Sequence, residues 1–393
     1  MPEAIWSFNN TTEVFFGKGC VDLVGSIAKK YAVTNTVMLV SYGSRTLEKL
    51  MAEVQEKLEQ ENFRVVQFKG VVPNPTLAKA EEGIALARQA DVGLVIGVGG
   101  GSAADTAKAI ALGCRYEGNL WDLYVGEGEK GEVLPIGAIM TLAGTGSETS
   151  IYTVLTNEEI PLKLGFGAPE TRPAFACLDP TLTFTVPAYQ TACGSCDMFV
   201  HILDAYLGRS TDMDMSYAMS EAVMRTIIKY APKALETPTD YNARAQLMQA
   251  GMLAMGRFAT MSLDANLGNH TLAEDLGAVY NVTHGAVLAA LTPAWMTFLK
   301  KEKFNLLLRY AVNVWHLEPD ATNPERTVDE GIRLTKQFFK ESLGLPVTLK
   351  ELGIDIEKDG RMLADRITGQ GDWGDAYMLV TQDEAYDIYN MCK

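Results

Sequence analysis

The sequence has few histidines, no long apolar run and no cluster of basic residues. Lys and Arg total 34 against 49 Asp and Glu, which gives a formal net charge of −15. A nucleic-acid partner is not expected, because the sequence shows no basic stripe that would neutralise phosphates. The longest nearly apolar stretch, residues 285–299, contains Pro293 and is too short to cross a bilayer. We therefore expect no membrane partner.

Cysteine is also scarce. The six cysteines are scattered along 393 residues and do not resemble a small disulfide framework. Cys193 and Cys196 have the C-x-x-C spacing, but no second pair exists to complete a four-cysteine zinc site. We interpret them as small side chains that fill space at a helix start, with oxidation sensitivity as the alternative. The N-terminus lacks the pattern of a signal peptide, so we expect a cytoplasmic protein.

The first half of the chain alternates apolar runs with stretches of helical periodicity. β-branched or apolar runs at residues 36–41, 64–68 and 92–96 predict buried strands, and each precedes a helical or turn-forming segment. This alternation predicts a doubly wound parallel sheet. The β-prone segments at residues 162–166 and 175–183 are expected to add strands to the same sheet.

After Pro187 the pattern changes. Almost every stretch then shows helical periodicity rich in Met and Ala, for example residues 215–230 and 328–343. A chain of this length supports two domains. We therefore predict an α/β domain over residues 1–187 and an all-helical domain over residues 188–393.

Three of the four histidines lie between residues 201 and 284. Asp197 and His201 are four residues apart, so on a helix both point from one face. His270 and His284 supply two more imidazoles from another segment. One carboxylate and three imidazoles without a thiolate suit Fe(II) or Zn(II). Chance clustering of core histidines is the alternative interpretation.

A glycine-rich motif follows the strand predicted at residues 92–96. It consists of Gly99, Gly100, Gly101 and Ser102. Backbone N–H groups here can close around an anion at the start of a helix. The motif is neither the G-x-G-x-x-G fingerprint nor the Walker sequence, and a tight turn is the alternative. We predict phosphate binding, with Asp105 and Lys108 on the first helical turns and Lys108 reaching a pyrophosphate or ribose.

Together with further short motifs, these features resemble the iron-containing (group III) alcohol dehydrogenases, most nearly their butanol dehydrogenase and aldehyde reductase branch. The further motifs lie at residues 16–19, 73–76, 143–148 and 179–180, and in the fourteen-residue step from His270 to His284. The resemblance covers nearly the whole chain. It implies a dehydroquinate synthase-like architecture, with a Rossmann-like N-terminal domain and a helical C-terminal domain. The implied reaction is reversible hydride transfer between NAD(P)H and a small aldehyde or alcohol.

The resemblance also implies roles for individual residues. The implied ligands of Fe2+, or of Zn2+ in its place, are Asp197, His201, His270 and His284. The residues expected around the nucleotide are Ser41, Tyr42, Gly99, Gly100, Gly101, Ser102, Asp105, Lys108, Thr141, Thr145 and Lys163. A homodimer or a larger homo-oligomer follows from the resemblance alone.

Two positions depart from the family pattern. Many members carry a second histidine four residues after the first of the pair, where this chain has Glu274. We predict that Glu274 relays protons or hydrogen-bonds a ligand histidine, with a surface glutamate as the alternative. After Ser41 the first nucleotide strand lacks the aspartate that NAD-preferring relatives often have. A serine-rich turn and Arg45 favour NADPH over NADH.

The sequence defines the substrate less closely. The pocket candidates are Tyr152, Cys196, Met198, Met261 and Trp373, and they suit short aldehydes. Arg257 either holds an anionic head group or lies at the surface. One alternative function is a glycerol dehydrogenase-like enzyme on the same scaffold, which the intact Asp-His-His-His set disfavours. The other is a metal- and nucleotide-binding protein without turnover.

Overall fold

The computed structural model describes residues 6–160, 162–210, 212–265, 267–367 and 380–393. These residues divide into two compact units. The α/β unit comprises Asn9–Val186 and Thr239–Met248. The helical unit comprises the described residues of Met1–Phe8, Pro187–Pro238 and Gln249–Lys393. One of the breaks between the units therefore falls at Pro187.

Eight strands and fourteen α-helices occur in the described part of the chain. The strands are β1 (Glu13–Phe16), β2 (Thr36–Val40), β3 (Arg64–Phe68), β4 (Leu94–Gly99), β5 (Ile136–Met140), β6 (Tyr152–Asn157), β7 (Leu162–Gly167) and β8 (Phe175–Leu178). The helices of the first half are α1 (Val24–Tyr31), α2 (Arg45–Gln60), α3 (Leu77–Gln89), α4 (Gly101–Cys114) and α5 (Leu120–Tyr124). The later helices are α6 (Ala188–Tyr206), α7 (Asp214–Glu236), α8 (Tyr241–Met255), α9 (Gly268–Tyr280), α10 (His284–Leu299), α11 (Phe304–Trp315), α12 (Pro324–Gln337), α13 (Ile356–Arg366) and α14 (Gln382–Met391).

The main sheet has six parallel strands in the order β1-β8-β5-β4-β2-β3. From β2 the chain passes to β3 on one side and then crosses to β4 on the other side. The carboxyl ends of β2 and β4 therefore meet where the strand order reverses, which is where open α/β sheets bind ligands. The parallel sheet and the helical second half confirm the predicted fold class.

The apolar face of α2 shows how the sequence builds this sheet. Leu50, Val54 and Leu58 recur every four residues, so they form one stripe along the helix. They lie in the same core cluster as Leu39 of β2 and Ile96 of β4. Burying a side chain of this size stabilises the fold by about 1.5–3 kcal/mol. This packing fixes the strands whose carboxyl ends carry the glycine motif.

Strands β6 and β7 form a separate antiparallel hairpin, with Tyr152 opposite Gly167 and Asn157 opposite Leu162. The prediction that residues 162–166 join the main sheet was wrong, and only β8 from the later segment joins it. The error has a physical cause, because the strand-like pattern of residues 162–166 does not distinguish a local antiparallel partner from a distant parallel one. β6, which was not predicted, supplies that local partner.

The helical unit is built around α6 and α10, which are almost entirely buried. Phe199 and Leu203 of α6 and Leu288 and Trp295 of α10 are fully buried. The apolar run at residues 285–299 is therefore core-forming. No helix in the described ranges has the length and apolar character needed to span a membrane.

Candidate metal centre and nucleotide loop

Helix α6 presents the first two candidate ligands from one face. Asp197 and His201 lie one turn apart, and the distance from Asp197 Oδ1 to His201 Nε2 is 3.5 Å. Both side chains are at least 90% buried. Ser195 donates its hydroxyl to the Thr191 carbonyl within the same helix. A buried, regular α6 therefore gives the pair the fixed spacing that the sequence predicted.

The junction of α9 and α10 supplies the other two histidines. His270 lies in the first turn of α9, and His284 is the first residue of α10. Asn281 ends α9 in the left-handed conformation with a φ of 51°, so the chain reverses within a few residues. A Cβ at Gly285 would lie 2.7 Å from the carbonyl carbon of Cys193. Only glycine permits α10 to begin this close to the backbone of α6.

The three imidazoles converge on a single carboxylate oxygen. The distances from Asp197 Oδ1 to the Nε2 atoms of His201, His270 and His284 are 3.5, 3.8 and 3.7 Å. Ligand bonds of about 2.1 Å in a tetrahedral site place neighbouring ligand atoms roughly 3.4 Å apart. One ligand atom from each of Asp197, His201 and His270 lies within 4.8 Å of the others. The spacing fits a divalent metal ion at their centre.

Buried polar atoms that lack a hydrogen-bond partner also indicate a metal ion at this position. Asp197 Oδ1 and His270 Nε2 are buried and have no hydrogen-bond partner among the described residues. Buried polar atoms in proteins are nearly always paired. A bound cation would satisfy both atoms at once, and the N/O donor set suits Fe(II) or Zn(II).

The electrostatics of these residues also favour a cation. Burial raises the pKa of Asp197, but attraction to the three imidazoles outweighs this and lowers it well below its usual value. Burial lowers the pKa of His201 to about 4. Burial also opposes the charged form of His270, yet Asp204 and Asp197 raise the pKa of His270 to about 10. A carboxylate and a neutral imidazole are the forms that ligate metals, and at His270 a metal would replace a proton.

Sequence reasoning missed one residue beside this cluster. Asp204 of α6 is fully buried, and its Oδ2 lies 2.6 Å from Nδ1 of His270. The signal was present in the spacing, because Asp204 follows His201 by three residues and Asp197 by seven, which keeps all three on one helical face.

The glycine motif forms the start of α4, at the carboxyl end of β4. Gly100 is the N-cap, and the backbone N–H groups of Ala103 and Ala104 bond to its carbonyl. A Cβ on Gly101 would lie 2.6 Å from the Thr145 hydroxyl oxygen, and one on Gly99 would lie 2.9 Å from the Tyr42 ring. The motif therefore packs between the loops that follow β2 and β5. The N-terminus of a helix that follows such a glycine turn fits an anionic phosphate.

The side chains predicted to flank the phosphate are engaged elsewhere. Lys108 is fully buried, and its ammonium donates to the carbonyls of Ser150 and Tyr152 at 2.9 and 2.7 Å. Asp105 accepts from the Ser147 hydroxyl at 2.6 Å. These contacts hold the segment after β5 against α4. They do not support the prediction that Lys108 reaches a pyrophosphate or ribose, because its ammonium lies inside the fold.

A buried glutamate accompanies this pair. Glu148 is 4% exposed, and burial raises its pKa to about 7. Burial lowers the pKa of Lys108 to about 8. The two groups attract each other electrostatically. The loop after β5 is thus supported by ionisable side chains that lie largely inside the fold.

The remaining nucleotide candidates lie around the same strand ends. Ser41 is fully buried after β2, and the side chain of Tyr42 lies against Gly99 and Gly100. Thr141 bonds through its backbone N–H to the Gly99 carbonyl at 2.8 Å. Lys163 of β7 is 91% buried and donates to the Asn74 side chain at 3.4 Å.

Lys69 was missed by the sequence reasoning. Its side chain lies against the turn after β2, since a Cβ on Gly43 would be 3.1 Å from the Cβ of Lys69. Lys69 directly follows β3, which is the neighbour of β2 in the sheet. The relevant signal was strand adjacency, which the linear sequence does not show.

The substrate candidates have varied surroundings. Met198 and Cys196 are fully buried in α6, Met261 is half-buried, and Tyr152 of β6 is 36% exposed. Arg257 donates to the Leu263 carbonyl at 2.9 Å. Glu274 is half-buried on α9, one turn after His270. Trp373 lies outside the described residues.

Comparison with known proteins gives matches along most of the chain. A family model described as iron-containing alcohol dehydrogenase matches residues 11–180. A second model, the C-terminal part of the Fe-containing alcohol dehydrogenase family, matches residues 191–391. The first match contains the glycine motif, and the second contains the four candidate ligands.

Individual relatives extend this finding. The NADH-dependent butanol dehydrogenase B of Clostridium acetobutylicum is 37% identical over 356 residues, 90% of each chain. An NADPH-dependent aldehyde reductase of Escherichia coli is 30% identical over 355 residues, 89% of each chain. The crystal structure of an NADH-dependent butanol dehydrogenase A from Thermotoga maritima is similar with a TM-score of 0.92 and 30% identity, covering 99% of this chain and 98% of that one.

Proposed function

Since the chain belongs to the iron-containing alcohol dehydrogenase family, we propose that it transfers hydride reversibly between NAD(P)H and a small aldehyde at a metal centre formed by Asp197, His201, His270 and His284. The observation that carries this proposal is the convergence of three imidazole nitrogens within 3.8 Å of one buried carboxylate oxygen. The relatives named above are butanol dehydrogenases and an aldehyde reductase. Neither the non-catalytic alternative nor the glycerol dehydrogenase-like alternative is therefore favoured.

The chemistry divides between the bound groups and the chain. A divalent metal supplies Lewis acidity toward the carbonyl oxygen of the aldehyde, and the reduced nicotinamide supplies the hydride. Asp197, His201 and His270 hold three buried donor atoms close together, so little reorganisation of these three is needed, and His284 adds the fourth donor from a side chain that is 22% exposed. Glu274 lies one turn from His270, and we propose that its carboxyl group holds or passes the proton that the product oxygen requires.

For nucleotide binding, we propose the glycine motif as the pyrophosphate site. The N-terminus of α4 offers backbone N–H groups and a partial positive charge. Tyr42, Thr141 and Thr145 lie around this motif and would contact the rest of the nucleotide. Asp105 and Lys108 support the adjacent loop from inside the fold.

We propose that the enzyme prefers NADPH to NADH. The turn after β2 has no carboxylate to repel a 2′-phosphate, and it carries Ser44 and Arg45. The position of Lys69 beside Gly43 adds a second cation at this turn. Charged hydrogen bonds to a phosphate are worth about 1.5–3 kcal/mol each. The relatives include both NADH- and NADPH-dependent enzymes. The preference for NADPH is therefore proposed from the residues of this turn alone.

For the substrate, we propose a short, uncharged aldehyde and its alcohol. The relatives are named as butanol dehydrogenases and an aldehyde reductase. Met198 beside Asp197 is apolar and fully buried. Arg257, the candidate for an anionic head group, already donates to the Leu263 carbonyl. An anionic aldehyde would have to compete for that guanidinium.

Three broader features complete the proposal. We propose domains over residues 1–187 and 188–393, which the limits of the two family matches support, although Thr239–Met248 belongs to the α/β unit and the described part of Met1–Phe8 to the helical unit. We propose a cytoplasmic enzyme, supported by six cysteines that are all buried free thiols. A homodimer or larger assembly, and iron rather than zinc as the native metal, are supported by the family resemblance.

The test is an initial-rate assay of NADPH and NADH oxidation after anaerobic loading with Fe2+. The aldehyde panel should contain neutral, hydroxylated and anionic members, including butanal and sulfoacetaldehyde. We expect turnover with neutral short aldehydes and a higher kcat/KM for NADPH. Stoichiometric metal binding without any turnover on the panel would contradict the proposed activity.

A further inference from the structure

Asp204 is a buried carboxylate that the proposed chemistry does not use directly. It lies on α6, three residues after His201, and none of its surface is exposed. Its Oδ2 lies 2.6 Å from Nδ1 of His270. Within the described ranges this is its only ion pair.

Packing of α6 does not account for this residue. A carboxylate is costly to bury unless it is paired and fully hydrogen-bonded. Asp204 Oδ1 has no hydrogen-bond partner among the described residues. An apolar side chain at this position would fill the same space without that cost. The contact with His270 is therefore the feature that can explain why a carboxylate is buried here.

We infer that Asp204 is a positioning residue for His270. Asp204 fixes the proton of the His270 ring on Nδ1 and so leaves the lone pair of Nε2 facing Asp197 Oδ1. This inference rests on the proposed metal centre. The Nε2 atom of His270 is buried, lacks a hydrogen-bond partner among the described residues, and lies 3.8 Å from Asp197 Oδ1. A carboxylate behind a ligand histidine fixes the tautomer and makes the ring a stronger donor.

Asp204 also changes the charge balance of the centre. Asp197 supplies one negative charge to a divalent cation, and Asp204 supplies a second one through His270. A dication with these two carboxylates is electrically neutral inside the helical unit, where an uncompensated charge is unfavourable. His201 has no such support among the described residues, since its buried Nδ1 lacks a hydrogen-bond partner there.

The backbone around His270 has an attachment to α10 besides the contact with Asp204. Asn269, the preceding residue, donates its side-chain amide to the Thr292 hydroxyl at 3.0 Å. Thr292 in turn donates to the Leu288 carbonyl within α10. Replacing Asp204 should therefore alter the tautomer and charge of His270 while its backbone stays in place.

The test compares Asp204→Asn and Asp204→Ala with the wild-type chain. Zn2+ and Co2+ affinities are measured by competition with a chromogenic chelator, and the Co2+ visible spectrum reports the ligand geometry. We expect both variants to bind metal roughly 10–100-fold more weakly, with an altered Co2+ spectrum. Glu221→Gln is the matched control, because Glu221 is 4% exposed but bonds to Tyr206, Arg309 and Asn313. Its metal affinity should be unchanged.

Folding is checked by urea unfolding of the metal-free proteins. If Asp204→Ala does not fold, the nearly isosteric Asp204→Asn decides the question. Wild-type affinity and an unchanged Co2+ spectrum in Asp204→Asn would overturn the inference while leaving the metal centre intact. A wild-type chain that binds no metal would instead overturn the proposed function.

Discussion

Gly285 offers a direct test of how the last candidate ligand is positioned. His284 begins α10, and Gly285 lies against the backbone of α6, where Cys193 is one turn before Asp197. A Cβ at Gly285 would meet the carbonyl carbon of Cys193 at 2.7 Å and its Cα at 2.9 Å. Neither atom belongs to a flexible side chain. In a Gly285→Ala variant, α10 must therefore move away from α6.

The size of that movement follows from contact distances. Carbon atoms pack at about 3.5–4.0 Å, so the two backbones must separate by about 0.8 Å or more. Overpacking of this kind costs about 1–3 kcal/mol of stability. Metal–ligand distances tolerate only about ±0.2 Å. We expect Gly285→Ala to lower the free energy of unfolding by about 1–3 kcal/mol. We also expect it to weaken metal binding at least tenfold.

The matched control is Gly277→Ala in α9. Among the described residues outside the backbone of α9, the nearest atom to a Cβ at Gly277 would be the Val282 carbonyl oxygen at 3.8 Å. Alanine in place of a helical glycine should stabilise the chain by about 0.5–1 kcal/mol. Urea unfolding and chelator competition are measured on both variants. Wild-type metal affinity in Gly285→Ala would refute the argument that this contact positions His284, and unchanged stability would refute the predicted clash.

Three further predictions concern single side chains. The pKa of Glu148 is raised to about 7 by burial, so its protonated form stabilises the fold at low pH and this contribution is lost as pH rises from about 4.5 through 7. Between pH 5 and pH 8 the wild-type chain should lose up to about 3 kcal/mol of its free energy of unfolding from this group, and Glu148→Gln should remove that loss. Urea unfolding at the two pH values measures it, and the same change of unfolding free energy with pH in both proteins would contradict the prediction. Glu274→Gln should lower kcat roughly 100-fold and remove one limb of the pH–rate profile if Glu274 passes the proton, whereas full activity would assign it to the surface. Lys69→Glu should reduce kcat/KM for NADPH roughly tenfold and leave that for NADH nearly unchanged, with equal loss for both nucleotides as the contrary result.

Local spacing made much of the molecule predictable. The apolar runs of β2 and β4 indicated a buried parallel sheet, because such strands are covered on both faces. The four-residue step from Asp197 to His201 indicated a shared helical face. The glycine triplet indicated a strand-to-helix turn, since few other residues permit such close packing. Each of these inferences depends only on residues that are near one another in sequence.

What could not be predicted depends on contacts between distant residues. Lys108 has a helical position compatible with either solvent or the interior, and its burial is decided by the carbonyls of Ser150 and Tyr152. The pairing of β6 with β7 depends on a local hairpin that strand propensity alone does not distinguish. Asp204 could have been found from its spacing, but its role depends on His270, which lies 66 residues later.

The two units are interleaved along the chain, and this affects how the protein is made. The α/β unit includes Thr239–Met248, a segment that lies between the ligand pair on α6 and the histidines of α9 and α10. The chain is synthesised from its N-terminus, so the α/β unit is complete only after residue 248 has been added. Arg244 of that segment is 4% exposed. A fragment ending at Pro187 would lack this segment, so neither unit corresponds to a single continuous stretch of the chain.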